Sequence, residues 1–182
     1  MAIYIIIAIV VLLALYGIGV YNKLVRLRNQ SEESAAAIDA HLKQRYDLIP
    51  NLVETIKGYA SHEKETLTAV IEARNKAMSA TTLTEKNDAN NAFSSTLKTL
   101  FALSESYPEL KANQGFLDLQ AQLQKIEESL LSARKYYNAV INDINTMIQT
   151  FPSSVVASIF SFKKLPYLSI EEEAKAQVKV KF

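Results

Sequence analysis

The sequence predicts an all-α fold: an N-terminal transmembrane helix continuous with an antiparallel up-and-down bundle of long helices. Three observations lead there. Residues 3–20 (IYIIIAIVVLLALYGIGV) form an almost wholly apolar run. Behind it, apolar residues recur every three or four positions nearly to the end of the chain, the period of a helix rather than a strand. Only four glycines and four prolines punctuate 182 residues, which leaves room for few turns. The expected divisions are an anchor over 1–22, a bundle over 23–151, a short amphipathic segment over 152–170 and a C-terminal tail over 171–182.

The anchor comes first. No charged side chain occurs before Lys23. Eighteen residues of helix rise ~27 Å, close to the ~30 Å hydrocarbon core of a bilayer. Tyr4 lies near one end and Tyr16 and Tyr21 near the other, where interfacial aromatics belong. A buried soluble helix would show a polar face over this length, and a signal peptide would begin basic and end on small residues. Lys23, Arg26 and Arg28 follow the span directly, so the positive-inside bias places the N-terminus outside and the body in the cytoplasm.

No break separates the span from Leu24, Leu27, Ser31, Ser34, Ile38 and Arg45, so one helix is expected to run on to about Tyr46. In the stretch QRYDLIPNLVE, Arg45 then closes that helix. Asp47 caps the next one, and Pro50 sits in its first turn, where a missing N–H has no intrahelical partner. A second helix follows over 48–78, then a loop at 79–83. Thr82 and Glu85 have the spacing of a capping box and open a third helix carrying Ala89, Phe93, Leu97, Leu100 and Leu103. Ser106, Pro108 and Glu109 read as a second capping box. From Phe116 onward a fourth helix carries a regular seam through Leu119, Leu123, Leu130, Arg134, Tyr137, Ile141, Ile144, Ile148 and Phe151. The alternation at Val178–Phe182 reads as a frayed tail.

An up-and-down bundle returns its fourth helix towards the bilayer. There Ser153 or Ser154 is expected to cap a short helix presenting Val155, Val156, Ile159 and Phe160, followed by Phe162, Lys163 and Lys164. Apolar groups beside lysines suit contact with an anionic membrane surface. The same groups also suit a hydrophobic cap over the bundle end, and both readings stay open on sequence alone.

Several chemistries lack their residues. There is no cysteine, hence no thiolate nucleophile, disulfide or thiolate metal site. The two histidines, His41 and His62, have Ile38 and Tyr59 three positions upstream, not the glutamates of a di-metal bundle. No glycine-rich phosphate loop or nucleophile elbow occurs. With a net charge of +1 and alternating Lys and Glu, no basic stripe addresses nucleic acid. No catalytic residue, metal or cofactor is therefore expected. Glu63, Arg74, Glu127 and Arg134 lie at or beside seam positions. They read as inter-helix ion pairs, as edge positions, or as a ligand-facing polar patch.

Three segments carry a resemblance: IDAHLKQRYDLIPNLVETIKGYASHEKETLTAVIEARNKA, ESYPELKANQGFLDLQAQLQ and ARKYYNAVINDINTMIQTFPSSVVASIFSFKKLPY. In order and spacing they closely resemble the LemA family of bacterial membrane proteins, over nearly the whole chain after the anchor. The chain departs from the family at Ala35-Ala36-Ala37, where a tryptophan often stands, and at His41, Gln44 and Ser161, where Gln, Arg and Gly are usual. The resemblance implies one N-terminal membrane helix continuous with a cytoplasmic bundle, and no established enzymatic activity. A magnetosome-membrane protein is similar to the family, which implies a link to membrane organisation. The resulting expectation is a non-enzymatic, self-associating scaffold of the bacterial inner membrane, with the lipid bilayer and further copies of itself as partners. The alternative is a membrane-tethered adaptor or sensor binding another envelope protein, such as a protease or stress-response component.

Overall fold

The computed structural model describes residues 1–170; the tail expected over 171–182 lies outside the described residues. Six helices follow one another: α1 (Ala2–Lys57), α2 (Lys64–Ser79), α3 (Leu83–Ser104), α4 (Pro108–Lys111), α5 (Gln114–Gln149) and α6 (Ser153–Ile159). No strand occurs among the described residues, in keeping with the all-α prediction.

The main correction concerns Arg45, Asp47 and Pro50. They do not form a corner: α1 runs unbroken for 56 residues with Pro50 inside it. An interior proline removes the donor to the carbonyl four residues back, here that of Tyr46. That carbonyl is not orphaned, because Arg74 Nε donates to it at 2.8 Å. Asp47 caps nothing and instead forms an exposed pair with Lys43 at 2.8 Å. Arg45 is not at a helix end but buried in mid-helix. Leu42, Arg45, Ile49, Leu52 and Ile56 are all buried, and their spacing passes the proline without a change of phase. The chain turns later, over residues 58–63.

The chain divides into two compact units. One comprises Met1–Ala36 and Lys135–Tyr167; the other comprises Ala37–Arg134 and Leu168–Phe182, of which 168–170 are described.

In the second unit, Phe93, Leu97 and Leu100 of α3 are buried, as are Leu67, Val70 and Ala77 of α2 and Ile49, Leu52 and Ile56 of α1. The expected capping box forms at the start of α3: Thr82 Oγ1 accepts from the Glu85 N–H, and Glu85 Oε2 accepts from the Thr82 N–H. Asp39 meets Lys86 at 2.7 Å, and Arg45 meets Asn90 at 2.9 Å. Numbers rise together on α1 and α3, so these helices run parallel, as an up-and-down order requires of alternate helices. The second capping box does not form, because Tyr107 rather than Ser106 holds the N-cap of α4 and supplies no side-chain cap. Pro108 does occupy the first turn. Asn113 breaks the chain between α4 and α5, its Oδ1 accepting from the Phe116 N–H at 2.9 Å.

In the first unit, Val20, Leu24 and Ala157 form a buried cluster on which Met147, Ile148, Val156 and Phe162 pack. Phe151, the last step of the expected seam, lies beyond the end of α5 and is 83% exposed. Neither Ser153 nor Ser154 caps α6. Pro152 holds the N-cap, and Ser153 Oγ donates to the Met147 and Thr150 carbonyls at 2.7 and 2.9 Å. The Met147 carbonyl, in the last turn of α5, thereby gains a donor that the helix itself cannot supply.

Candidate functional site

The sequence singles out two groups of residues for the membrane, and the first unit holds both. Ile3 to Leu15 are apolar and at least half exposed at every large side chain, so α1 presents a continuous apolar surface long enough to cross a bilayer. That surface ends at Val20, the first buried residue of the helix. Lys23, Arg26 and Arg28 follow, all exposed, and Arg28 Nε lies 3.4 Å from Glu32 Oε1.

α6 is seated on this junction. Its Ala157 is fully buried against Val20 and Leu24, with Val156 and Phe162 packed beside them. The Tyr21 ring lies 4.5 Å from the Phe160 ring and 6.1 Å from that of Phe162, centroid to centroid. A different face points outward: Val155 is 50%, Ile159 71% and Phe160 55% exposed. Lys163 and Lys164 are exposed as well. The structure thus divides the expected contact residues. Val156 and Phe162 bind α6 to α1, Phe160 packs on Tyr21 while staying half exposed, and Val155, Ile159, Lys163 and Lys164 remain presented.

Two features hold this arrangement. α6 ends at Ser161 with φ 57°, and the Phe162 N–H reaches back to the Ala157 carbonyl at 2.9 Å. This is the six-to-one bond of a Schellman ending, with serine in the left-handed position that glycine occupies at least cost. Beyond it, Asn145 of α5 grips the chain twice. Its Nδ2 donates to the Leu165 carbonyl at 2.9 Å, and its Oδ1 accepts from the Leu165 N–H at 3.0 Å. Sequence reading missed Asn145. Its signal was a polar residue next to Ile144 on a seam otherwise apolar there.

The charged seam residues of the second unit resolve into structural contacts. Arg45, 4% exposed, donates from Nη1 to Asn90 Oδ1 and Ser94 Oγ, both at 2.9 Å. Its Nη2 lies 2.8 Å from Glu127 Oε2, and its guanidinium sits 5.2 Å from the Phe93 ring centroid. Glu63 accepts from the Tyr107 hydroxyl at 2.9 Å, a bond that raises the pKa of Tyr107. Burial pushes the Tyr46 hydroxyl up as well, opposed by the Arg45 and Arg134 charges. Arg134 is buried too. Among the described residues no group of three His, Asp or Glu side chains could hold a metal ion. Among the described residues His41 makes a local contact, at 3.4 Å to Gln44.

Fold and site together define a class: an all-α protein whose first helix can cross a bilayer and whose α6 packs on that helix where its apolar surface ends. The sequence model of the LemA family matches residues 34–182, and the chain belongs to that family. A curated relative, Protein LemA of Metamycoplasma hominis, is 26% identical over 144 residues. The alignment covers 77% of this chain, and the chain spans 64% of that relative's length.

Proposed function

We propose that this protein is a non-enzymatic scaffold of the bacterial inner membrane. α1 crosses the bilayer with its N-terminus outside, and the remainder of the chain lies in the cytoplasm, as the positions of Lys23, Arg26 and Arg28 support. The observation that carries the reading is α6, fixed to α1 at Val20 and Leu24 with Val155, Ile159 and Phe160 facing out. A segment tied to the point where the apolar surface ends lies at the height of the bilayer interface. Transfer of those three side chains out of water would contribute about 3–4 kcal/mol. Lys163 and Lys164 would add ~1 kcal/mol each on an anionic leaflet. A chain held at two points is fixed in direction as well as depth, and side-by-side copies would then order the membrane around them.

The full-length protein reconstituted in bacterial-lipid vesicles tests this. In-membrane crosslinking should give a ladder of homo-oligomers, and imaging should show clustered protein with altered vesicle shape. A monomer that leaves the vesicles unchanged overturns the scaffold. A single defined complex with another envelope protein on crosslinking in cells would also replace it, with an adaptor.

A further inference from the structure

The first unit contains a cleft of about 380 Å³ beside the junction of α1 and the segment after α6. This is within the range of small-ligand sites. Its rim carries Arg28 and Glu32 from α1 and Ser161 and Lys163 from the returning segment, all exposed. Its inner wall includes Ser31, Tyr137 and Ile144, all buried. Charge of both signs, hydroxyls and an apolar wall therefore meet in one place.

The position limits what can reach it. Arg28 lies eight residues beyond Val20 on a continuous helix, ~12 Å further from the bilayer centre. The headgroup layer extends ~5–8 Å beyond the hydrocarbon. Helical side chains lean towards the N-terminus, so an arginine at this position leans back towards that layer. The returning segment carries Lys163 only three residues beyond Phe160, which touches Tyr21 at the end of the span. The rim is thus within reach of lipid headgroups, and the reading rests on the cytoplasmic apposition proposed above.

The charges select the chemistry. A rim carrying charge of both signs suits a ligand that itself carries both. Glu32 makes only a single long contact with Arg28, 3.4 Å with both side chains about two-thirds exposed, so both groups keep capacity for a ligand. Among the described residues Lys163 forms no ion pair. Two cations and one carboxylate on the same rim match a ligand whose phosphate and ammonium are joined by a short linker. Ser31 Oγ donates to the Arg28 carbonyl at 2.7 Å, which leaves its lone pairs to accept from an ammonium. Ser161 adds a hydroxyl at a residue held in the left-handed region, where glycine would be less strained. We propose that this cleft binds the headgroup of an aminophospholipid of the phosphoethanolamine type. In this assignment Arg28 and Lys163 meet the phosphate, while Glu32 and Ser31 meet the ammonium.

The test uses the full chain in bilayers containing phosphatidylcholine, phosphatidylethanolamine and phosphatidylglycerol in equal parts, with native mass spectrometry of the lipid it retains. The ethanolamine lipid should be retained over the glycerol lipid by about fivefold, the factor one surface charge supplies. Lys163→Gln should lower total phospholipid retention. Glu32→Gln should shift preference towards the glycerol lipid, the signature of losing the ammonium partner. Equal retention of all three lipids, or a Glu32→Gln protein with unchanged preference, overturns the assignment. A thermal shift with glycerophosphoethanolamine in detergent but no retained lipid would assign the cleft to a soluble phosphate and likewise overturn it. A fluorophore at Ile159, quenched from within the bilayer on the same samples, reports apposition separately. Quenching without lipid selectivity defeats the headgroup site alone, whereas no quenching defeats the apposition on which it rests.

Discussion

Arg74 Nε donates to the Tyr46 carbonyl oxygen across 2.8 Å, and that carbonyl is the one Pro50 leaves without a helical donor. A side chain from α2 thus completes the hydrogen bonding of α1 at an interior position where its own backbone cannot. Each residue explains the other: without Arg74 the proline would leave a partly buried acceptor unpaired, and without Pro50 the guanidinium would have to compete with an amide.

The pair should therefore be coupled. Arg74→Ala is expected to cost about 1–2 kcal/mol, the penalty of an unsatisfied partly buried acceptor. Pro50→Ala should recover most of that loss in the Arg74→Ala background, because residue 50 then supplies the missing N–H. Urea unfolding of the full chain in detergent, followed by circular dichroism, measures both singles and the double. Effects that add within about 0.5 kcal/mol would show no coupling.

Arg45 and Glu127 form an unequal pair, their side chains 5% and 43% exposed. Glu127→Ala should cost about 1 kcal/mol, since water replaces much of what the carboxylate supplies. Arg45→Ala should cost about 3 kcal/mol, because it also strips donors from Asn90 and Ser94 and uncovers the Phe93 ring. The same unfolding experiment ranks the two. The reverse order would place the energy in the carboxylate rather than in the buried guanidinium.

Asn145 should govern how firmly the segment after α6 is held. Asn145→Leu removes both bonds to Leu165 and leaves that residue's N–H and carbonyl to find water. Trypsin cleavage at Lys163 and Lys164, both exposed, should then quicken severalfold while far-ultraviolet dichroism stays unchanged. An unchanged cleavage rate would mean that packing on Val20 and Leu24 suffices.

The start of α3 should respond to acid. Hydrogen bonds from Thr82 and Thr81 lower the pKa of Glu85 from 4.5 to about 2. A depressed carboxylate stabilises the fold above its unfolded-state value, and that contribution fades as pH falls from about 4.5 towards 2. Amide exchange at the first turn of α3 should therefore rise over this window, allowing for intrinsic rates. Glu85→Gln should show a flatter response. An identical response in both proteins would exclude the capping box as its source.

Much of this was legible in the sequence, and the failures have physical causes. The apolar run, the Thr82–Glu85 box and the seam of α5 from Leu123 to Ile144 follow from local pattern, and local pattern decides those elements. Pro50 misled because its cost as an interior residue is offset by Arg74, 24 positions away. No local rule can see such a partner. The buried series through Arg45, Ile49 and Leu52 did carry the answer, because a true corner would have shifted its phase. Ser153 is a similar case: a good capping residue by type, it is drawn instead back to the Met147 carbonyl in the last turn of α5. The seating of α6 on Val20 and Leu24 depends on tertiary contact alone, so sequence could offer only the alternatives of cap and membrane surface. In the structure, Val156 and Phe162 pack on α1, Val155 and Ile159 face out, and Phe160 is half exposed with its ring against Tyr21.

The depth of α6 in a bilayer tests the account most directly. A nitroxide at Ile159 of the full-length protein in lipid nanodiscs should be more accessible to oxygen than to a water-soluble nickel complex, at the depth of the headgroup boundary. A label on the exposed Glu33, thirteen residues beyond Val20 on α1, should show the opposite. If the Ile159 label is as open to the nickel complex as the Glu33 label, α6 does not touch the membrane and the proposed scaffold loses its second point of attachment.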